Sequence, residues 1–586
     1  MSTLRAAQER HFKTHDGLDL FYRHWPALGE TRRGCVVLFH RGHEHGGRMA
    51  HLVDELALPE FDFFAWDARG YGQSPGKRGF SPSVSTSIRD VQTFVDHIRA
   101  AHGIATSDMA IVGQSVAGVV VAAWAHDYAP DVRCLVLAAP AFQIKLYVPF
   151  ARPGLRLLQA LRGRFYVNSY VKAHYLSHDP ERIASFNRDP LIVRPISVNI
   201  LLGLYDVAER VVADAPAIVA PTQVLISGAD WVVHQAPEHV FFERLGATVK
   251  EKHVFPGFYH DTLGERDRHL AVEKVRGFIT RMFTTRPTPV DLGQADQSGA
   301  SHDEAVALAR RLPCYTPRGL YWAVGRLALR AAGWLSSGIR LGYRTGFDSG
   351  ATLDYVYRNQ AGGLGALGRF VDRRYLDAVG WRGIRQRKQN LEKLLGRTMR
   401  ALHAEGRPVR VLDIAAGHGR YVMEAVAKAP HRPESILLRD FSEANVLHGR
   451  VLIHDFQLAD IARFERADAF DPESYHHVRP QPTLAVVSGL YELFPENQAV
   501  RRSLAGLAQA IEPGGYLIYT NQPWHPQLER IARTLTSHRG GRAWVMRRRS
   551  QAEMDQLVAE AGFDKREQRI DEWGIFTVSV AQRRVA

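Results

Sequence analysis

Ile111-Val112-Gly113-Gln114-Ser115-Val116-Ala117-Gly118 sets a serine between an apolar, strand-like run and an apolar, helix-forming run, Val119 to Ala125. A strand that turns into a helix this sharply needs small neighbours, because the two elements approach closely, and the turn lifts the serine hydroxyl above the sheet. Gly113 meets that need, and Ala117 followed by Gly118 stands where the second glycine of G-x-S-x-G would fall. Asp230 comes next, after the strand-like Gln223 to Ile226, in Ser227-Gly228-Ala229-Asp230; His260 follows in Pro256-Gly257-Phe258-Tyr259-His260-Asp261. At such a site His260 would accept the serine proton, Asp230 would fix the imidazole tautomer, and two backbone N–H groups would stabilise a tetrahedral oxyanion. Gly42 and Val116 are the candidates for those donors.

Around this turn lie short apolar runs, Cys35 to Phe39, Phe61 to Trp66, Met109 to Val112 and Arg133 to Ala138, interspersed with helical patterns. They predict a buried, mainly parallel sheet. The order Ser, Asp, His is that of the α/β-hydrolases. Residues 10–280 resemble the monoacylglycerol lipase and lysophospholipase (serine aminopeptidase-like) branch of that fold. The resemblance is carried by His40-Arg41-Gly42-His43-Glu44-His45-Gly46-Gly47-Arg48, by Asp67-Ala68-Arg69-Gly70-Tyr71-Gly72-Gln73-Ser74-Pro75-Gly76, by the serine turn and by the His260 turn. It implies Ser115, Asp230 and His260 as a catalytic triad, Gly42 and Val116 as the oxyanion hole, and a small-molecule lipid or ester as substrate. Phe142 to about Ala213 interrupts the core pattern and is the expected cap, its leucines suited either to an acyl chain or to packing on themselves. His40, His43 and His45 form no His-Glu-x-x-His pair, and no metal site is expected.

The remaining composition bounds the whole. At 586 residues with 45% hydrophobic and 23% charged, the chain reads as folded protein of several domains. Three scattered cysteines, Cys35, Cys134 and Cys314, predict neither disulfides nor a thiolate metal site. No secretory segment or spanning apolar run is evident, so a cytoplasmic protein is expected. The stretch 286–312, rich in Pro, Gly, Ser and Asp, is the expected linker after a hydrolase domain at 1–285. Residues 311–410 then hold nineteen Lys/Arg against six Asp/Glu, nearly all of the net charge of +14. This basic, helical segment, 313–402, mixes Leu320, Tyr321, Trp322, Leu327 and Trp334 with Arg326 and Arg330. Peripheral contact with an anionic membrane is one reading and the packing of an inter-domain helix the other. No zinc-finger or RNP-like motif accompanies the charge, and no nucleic-acid partner is expected.

Val409-Arg410-Val411-Leu412-Asp413-Ile414-Ala415-Ala416-Gly417-His418-Gly419-Arg420 opens a second strand-and-helix alternation at 403–586. An apolar strand running into a glycine turn lets backbone approach a ligand at the carboxyl edge of a sheet, and Val422 in place of a third glycine disfavours a dinucleotide. Asp440 ends the next strand-like run, and Asp468-Ala469-Phe470-Asp471 supplies an acidic and aromatic edge. With Ser488 to Phe494 and Glu512-Pro513-Gly514-Gly515-Tyr516-Leu517, these pieces resemble a Rossmann-like class I S-adenosylmethionine-dependent methyltransferase over roughly 340–586. The resemblance implies S-adenosylmethionine as cofactor, held by Asp413, Gly417, Gly419, Asp440, Asp468 and Ala469. Tyr491, Glu492 and His525 are candidates to orient or deprotonate an acceptor, and Gly380 to Lys388 to gate cofactor or bind an anion.

The expectation is an α/β protein, an α/β-hydrolase with a helical cap fused to a class I methyltransferase, hydrolysing monoacylglycerol- or lysophospholipid-type esters and transferring methyl groups. Thioester or peptide hydrolysis is the first alternative, since the same triad serves both. A degenerate hydrolase serving as a membrane or protein binding module is the second, with Arg41 and Ala117 as the residues that raise it.

Overall fold

The structure is a computed structural model and describes residues 5–29 and 31–585. The chain forms two compact units, Met1–Val290 and Asp291–Ala586.

In the first unit, β1 (Gln8–Lys13), β2 (Asp19–Trp25), β3 (Gly34–Phe39), β4 (Phe61–Trp66), β5 (Met109–Gln114) and β6 (Cys134–Ala138) precede the expected cap. A small antiparallel hairpin, β7 (Tyr166–Asn168) and β8 (Pro195–Ser197), lies within that cap segment, and β9 (Thr222–Ser227) and β10 (Lys250–Phe255) follow it. The main sheet runs β1-β2-β4-β3-β5-β6-β9-β10. Only β1/β2 and β2/β4 pair antiparallel; every other neighbour is parallel. This is the α/β-hydrolase fold. β3, β4, β5, β6 and β9 are buried along their whole length, which is why they read as unbroken apolar runs. Val36, Phe63, Val112, Val136 and Leu225 pack there with Val275 and Phe278 of the helix His269–Thr284.

Two cap helices differ sharply in environment. Pro180–Arg188 is anchored to the loop after β3, as described below, whereas Ala151–Arg162 buries no residue. Around the latter, Phe150, Leu157 and Leu161 are 86%, 62% and 74% exposed.

In the second unit the sheet holds β11 (Arg410–Ile414), β12 (Ser435–Asp440), β13 (Ala462–Arg466), β14 (Leu484–Val487), β15 (Tyr516–Asn521), β16 (Phe563–Ile570) and β17 (Thr577–Arg583). Their order is β13-β12-β11-β14-β15-β17-β16, five parallel strands and then an antiparallel pair. The order reverses between β11 and β14, the switch point at whose carboxyl edge open α/β sheets bind ligands. It is the Rossmann-like arrangement of class I methyltransferases.

The basic segment forms the helices Pro317–Leu335, Ser337–Thr345, Gly350–Arg358, Gly365–Leu376 and Val379–Ala404. Its apolar residues divide between two environments: Ile339 and Trp381 are buried, while Leu320, Tyr321, Leu327 and Trp334 are exposed. Within the stretch expected as linker, Ala300–Ala309 is a helix, and Asp296, Ser301 and Glu304 bond to Asn497, Arg547 and Arg548 of the second unit. Among the described residues no helix is long and apolar enough to cross a membrane.

Candidate functional sites

Ser115 links β5 to the helix Val116–Tyr128 and takes φ 58°, ψ −118°, a conformation that costs a non-glycine residue energy and lifts its side chain out of the sheet. Small neighbours permit it. A Cβ on Gly113 would lie 2.9 Å from the Ala117 carbonyl oxygen, and one on Gly118 would lie 2.9 Å from Pro140 Cβ. The Ser115 N–H donates to the Ala138 carbonyl at 2.9 Å, fixing the turn against β6.

His260 arrives on the loop after β10 and Asp230 on the loop after β9. His260 Nε2 is 2.7 Å from Ser115 Oγ and its Nδ1 is 2.7 Å from Asp230 Oδ2. The other Asp230 oxygen accepts the backbone N–H groups of Val232 and Val233, at 2.6 and 2.9 Å. Burial would raise this carboxyl, but the His260 ring and the two amides outweigh it and hold Asp230 below the usual carboxylate range. All three side chains are buried.

Gly42 and Val116 are adjacent: a Cβ on Gly42 would stand 3.1 Å from Val116 Cγ2. Neither backbone N–H has a hydrogen-bond partner among the described residues, so both are free to meet an oxyanion. Arg41 does not intrude as a free cation. Its Nε and Nη2 donate to Glu44 at 2.8 and 2.6 Å, and Asp261 is 3.4 Å away. Arg48 donates to the same Glu44, and Arg182 of the cap helix Pro180–Arg188 donates to Asp261. Burial alone would raise Glu44, yet Arg41, Arg48 and Arg182 push it down to about 2. Gln114, next to the serine, also donates to Asp261, at 2.9 Å. The loop after β3 is thus clamped by a buried ion network that the cap helps to build.

The loop histidines are engaged in hydrogen bonds. His40 Nε2 accepts the Ala68 N–H and its Nδ1 donates to the Arg41 carbonyl; burial lowers its pKa. His43 Nδ1 donates to the Val193 carbonyl, and His45 Nε2 lies 3.0 Å from Asp189 Oδ2. Beside Gly42 and Val116 opens a pocket walled by Phe39, Trp66, Tyr71, Phe80, Val120 and Ile200. The roles of Gln114, Arg182, Asp189 and Asp261 leave no local pattern in the sequence, because each acts through a partner distant in the chain.

In the second unit the residues from Asp413, Gly417, Gly419 and Asp440 meet at one turn. Gly417 and Gly419 take φ +60° and +75°, left-handed values that glycine adopts without strain. The Gly417 N–H donates to Asp440 Oδ2 at 2.9 Å, while Asp440 Oδ1 accepts from Ser442 N–H and Asn445 Nδ2. Asp413 Oδ2 accepts the Tyr421 hydroxyl at 2.7 Å, and Oδ1 is buried without a partner. Burial raises Asp413 well above its ordinary value, the Tyr421 bond opposing and nearby Asp440 adding to the rise. A Cβ on Gly417 would meet only Gly350 Cα, at 3.7 Å, so the face of the turn is open. Asp468 is exposed at the end of β13, where its Oδ1 caps the Phe470 N–H; the Ala469 carbonyl accepts the Tyr475 hydroxyl.

The three acceptor candidates separate. Tyr491 is buried with its hydroxyl on Ser503, whereas Glu492 and His525 line one pocket together with Gly380, Trp381 and Arg387 of the helix Val379–Ala404. Trp544, Gln522 and Phe576 also line it; their place there is set by the fold and not by a local motif.

Residues 275–583 match the family described as "Putative methyltransferase", and the chain belongs to that family. Residues 30–267 match a second, "Serine aminopeptidase, S33". Over 584 residues, covering 100% of both chains, it is 56% identical to "Uncharacterized protein YnbC" of Escherichia coli (strain K12). A monoacylglycerol lipase of Mycolicibacterium smegmatis (strain ATCC 700084 / mc(2)155) is 27% identical over 278 residues, 46% of this chain and 96% of that one. Among solved structures, a monoacylglycerol lipase of Paleococcus ferrophilus matches 45% of this chain and 99% of its own, at 24% identity and a TM-score of 0.41. One chain thus joins an α/β-hydrolase domain, similar in sequence to a monoacylglycerol lipase, to a methyltransferase-family domain.

Proposed function

We propose that the chain is a bifunctional enzyme: a serine hydrolase of lipid-type carboxylic esters, joined to an S-adenosylmethionine-dependent methyltransferase. The hydrolase reading is carried by the continuous line Ser115–His260–Asp230 beneath two unpartnered amides. Ser115 Oγ attacks the ester carbonyl as its proton passes to His260 Nε2, and the Gly42 and Val116 N–H groups take the oxyanion. His260 then protonates the departing alcohol, and water releases the acid by the same path reversed. Asp230 holds the Nδ1–H tautomer throughout. The apolar pocket beside the turn suits an acyl chain, and the exposed apolar residues around Ala151–Arg162 suit a lipid surface. A monoacylglycerol or lysophospholipid meets both conditions. Turnover of matched ester, thioester and amide substrates, with Ser115→Ala as control, separates this reading from a thioesterase or a peptidase.

For the second unit, the orphaned Asp413 oxygen, the open left-handed Gly417 turn and Asp440 beside it form a fitting cradle for a polar, nucleoside-bearing ligand. Asp440 would take the ribose hydroxyls, Asp468 and Ala469 the adenine edge, and Gly417 and Gly419 the close approach of backbone. When bound, S-adenosylmethionine supplies an electrophilic methyl group on a sulfonium. Calorimetry with S-adenosylmethionine on the full chain, compared with Asp413→Ala, tests this assignment; NAD binding in its place would overturn it. Membrane contact through the basic helices, and the cytoplasm as the site of action, belong to the same proposal.

A further inference from the structure

The pocket at the carboxyl ends of β14 and β15 is built from two kinds of residue. Trp381, Trp544, Phe576, Ile384, Ile531 and Leu535 make apolar walls. Trp381 and Trp544 lie nearly parallel, centroids 6.3 Å apart and planes at 27°. Against these walls stand four polar side chains with unspent hydrogen-bonding capacity. Glu492 is 7% exposed; its Oε1 accepts the Thr520 hydroxyl at 2.8 Å, and its Oε2 has no partner. Gln522 is buried with its amide nitrogen unpartnered, and Arg387 is buried with its Nε unpartnered. The fourth is His525, whose Nδ1 accepts the Gln527 N–H at 3.0 Å. That bond leaves the ring proton on Nε2, next to Gly380 at the pocket wall. Burial and the Arg548 charge hold His525 down to about 3, so the ring is neutral. Buried polar atoms left unpaired in a native fold are costly and call for a partner.

The charges narrow the partner's chemistry. Arg387 Nη1 lies 3.6 Å from Glu492 Oε1, so the polar end already contains one buried charge of each sign. A carboxylate head would face Glu492 and an ammonium head would face Arg387, each an uncompensated charge in an apolar cavity. A hydroxyl avoids both penalties. It donates to Glu492 Oε2 and accepts from His525 Nε2–H or Gln522, satisfying groups of both kinds at once.

We infer that this pocket is the methyl-acceptor site and that it takes an apolar alcohol or phenol, with Glu492 as the base. The inference rests on the methyltransferase reading above. As the hydroxyl oxygen forms the new C–O bond, the methyl–sulfur bond breaks with its electron pair going to sulfur, and the hydroxyl proton passes to Glu492 Oε2. The product is a methyl ether. Trp381, Trp544 and Phe576 hold the apolar body, and Arg387 stands beside Glu492 at 3.6 Å.

The test uses the full chain and probes differing only in the head group: 2-naphthol, 2-naphthoate and (2-naphthyl)methylammonium, with 1-decanol as an aliphatic alcohol. Calorimetry and tryptophan fluorescence without S-adenosylmethionine should show an alcohol binding at least about tenfold tighter than either charged head, about 1.4 kcal/mol. Trp381→Ala should weaken it, and Glu492→Gln should shrink the handicap of 2-naphthoate, read below the variant's own thermal transition, where the protein is folded. 2-Naphthol ahead of 1-decanol assigns a ring as the occupant, and the reverse a chain. With methyl-labelled S-adenosylmethionine, label should appear in the ether, about 10²-fold more slowly for Glu492→Gln. Preference for the carboxylate or the ammonium would overturn the inference. So would the absence of all probe binding in protein that binds S-adenosylmethionine. Alcohol binding without S-adenosylmethionine binding would instead sink the methyl-transfer reading and uphold the head-group preference.

Discussion

His260 Nε2 lies 2.7 Å from Ser115 Oγ while its Nδ1 lies 2.7 Å from Asp230 Oδ2, a continuous path for a proton across three loops. If this path is the hydrolytic machinery, Ser115→Ala and His260→Ala each lower ester hydrolysis by at least about 10³-fold with the thermal transition unchanged. Initial rates and labelling by a serine-reactive phosphonate measure the effect. Asp230→Asn, which keeps the shape and loses the tautomer control, should cost about 10³–10⁴.

The ion network behind Gly42 gives an acid-stability prediction. Glu44 sits at about 2 against an ordinary 4.5, so its folded-state value is depressed. Its stabilising contribution is complete above the ordinary value and drains away as the pH falls through about 2. Unfolding followed from pH 5 to pH 2 should therefore lose stability more steeply in wild type than in Glu44→Gln. At neutral pH, Glu44→Ala should destabilise by up to about 3 kcal/mol, because buried Arg41 and Arg48 lose the carboxylate they share and keep only the longer contacts to Asp261 and Asp189. Parallel pH profiles for wild type and Glu44→Gln would remove the network from the account.

At the second cradle, Gly419→Ala places a Cβ 2.7 Å from Leu438 Cδ1 at a φ of +75°. A loss of about 1–2 kcal/mol in stability is expected from the backbone alone, together with weaker S-adenosylmethionine binding by calorimetry. Asp440→Asn should weaken the ligand and loosen the turn as well, since the single amide oxygen can replace only one of the two carboxylate oxygens that accept from Gly417 N–H and from Ser442 N–H. Unaltered affinity in both variants would move the cofactor elsewhere.

Exposed apolar residues bear on lipid contact. Replacing Leu157 and Leu161 of the cap by Ser should reduce hydrolysis of vesicle-borne esters about tenfold and leave a soluble short-chain ester unaffected. Sedimentation with vesicles of rising anionic content should show binding that salt weakens if the basic helices contribute. Equal binding to neutral vesicles contradicts the electrostatic part.

What the sequence made legible follows from burial. Central strands such as β3, β5, β9, β11 and β14 are covered on both faces, so they appear as apolar runs and could be read directly. The edge strands could not. β1 (QERHFK), β10 (KEKHVF), β13 (ARFER) and β16 (FDKREQRI) carry charges toward solvent and give no run to detect. The same distinction governs the sites. Ser115, Gly417 and Gly419 announce themselves because a tight turn demands particular residues locally. Arg182, Gln114, Trp544 and Gln522 serve only through contacts across the fold, and spacing holds no trace of them. Arg41 is a buried partner of Glu44 with Asp261 and Arg182 nearby, a role set by the fold and not by its neighbours in the chain.

Whether Ser115 is a hydrolytic nucleophile acting on lipid esters is decided most directly by turnover. Purified full-length protein should be given a panel of monoacylglycerols, lysophospholipids, acyl-CoA thioesters and aminoacyl amides, in parallel with Ser115→Ala. The account predicts release of fatty acid from the lipid esters by wild type and none above background by the variant. Equal release by both, or no cleavage of any substrate together with failed phosphonate labelling of Ser115, would contradict it.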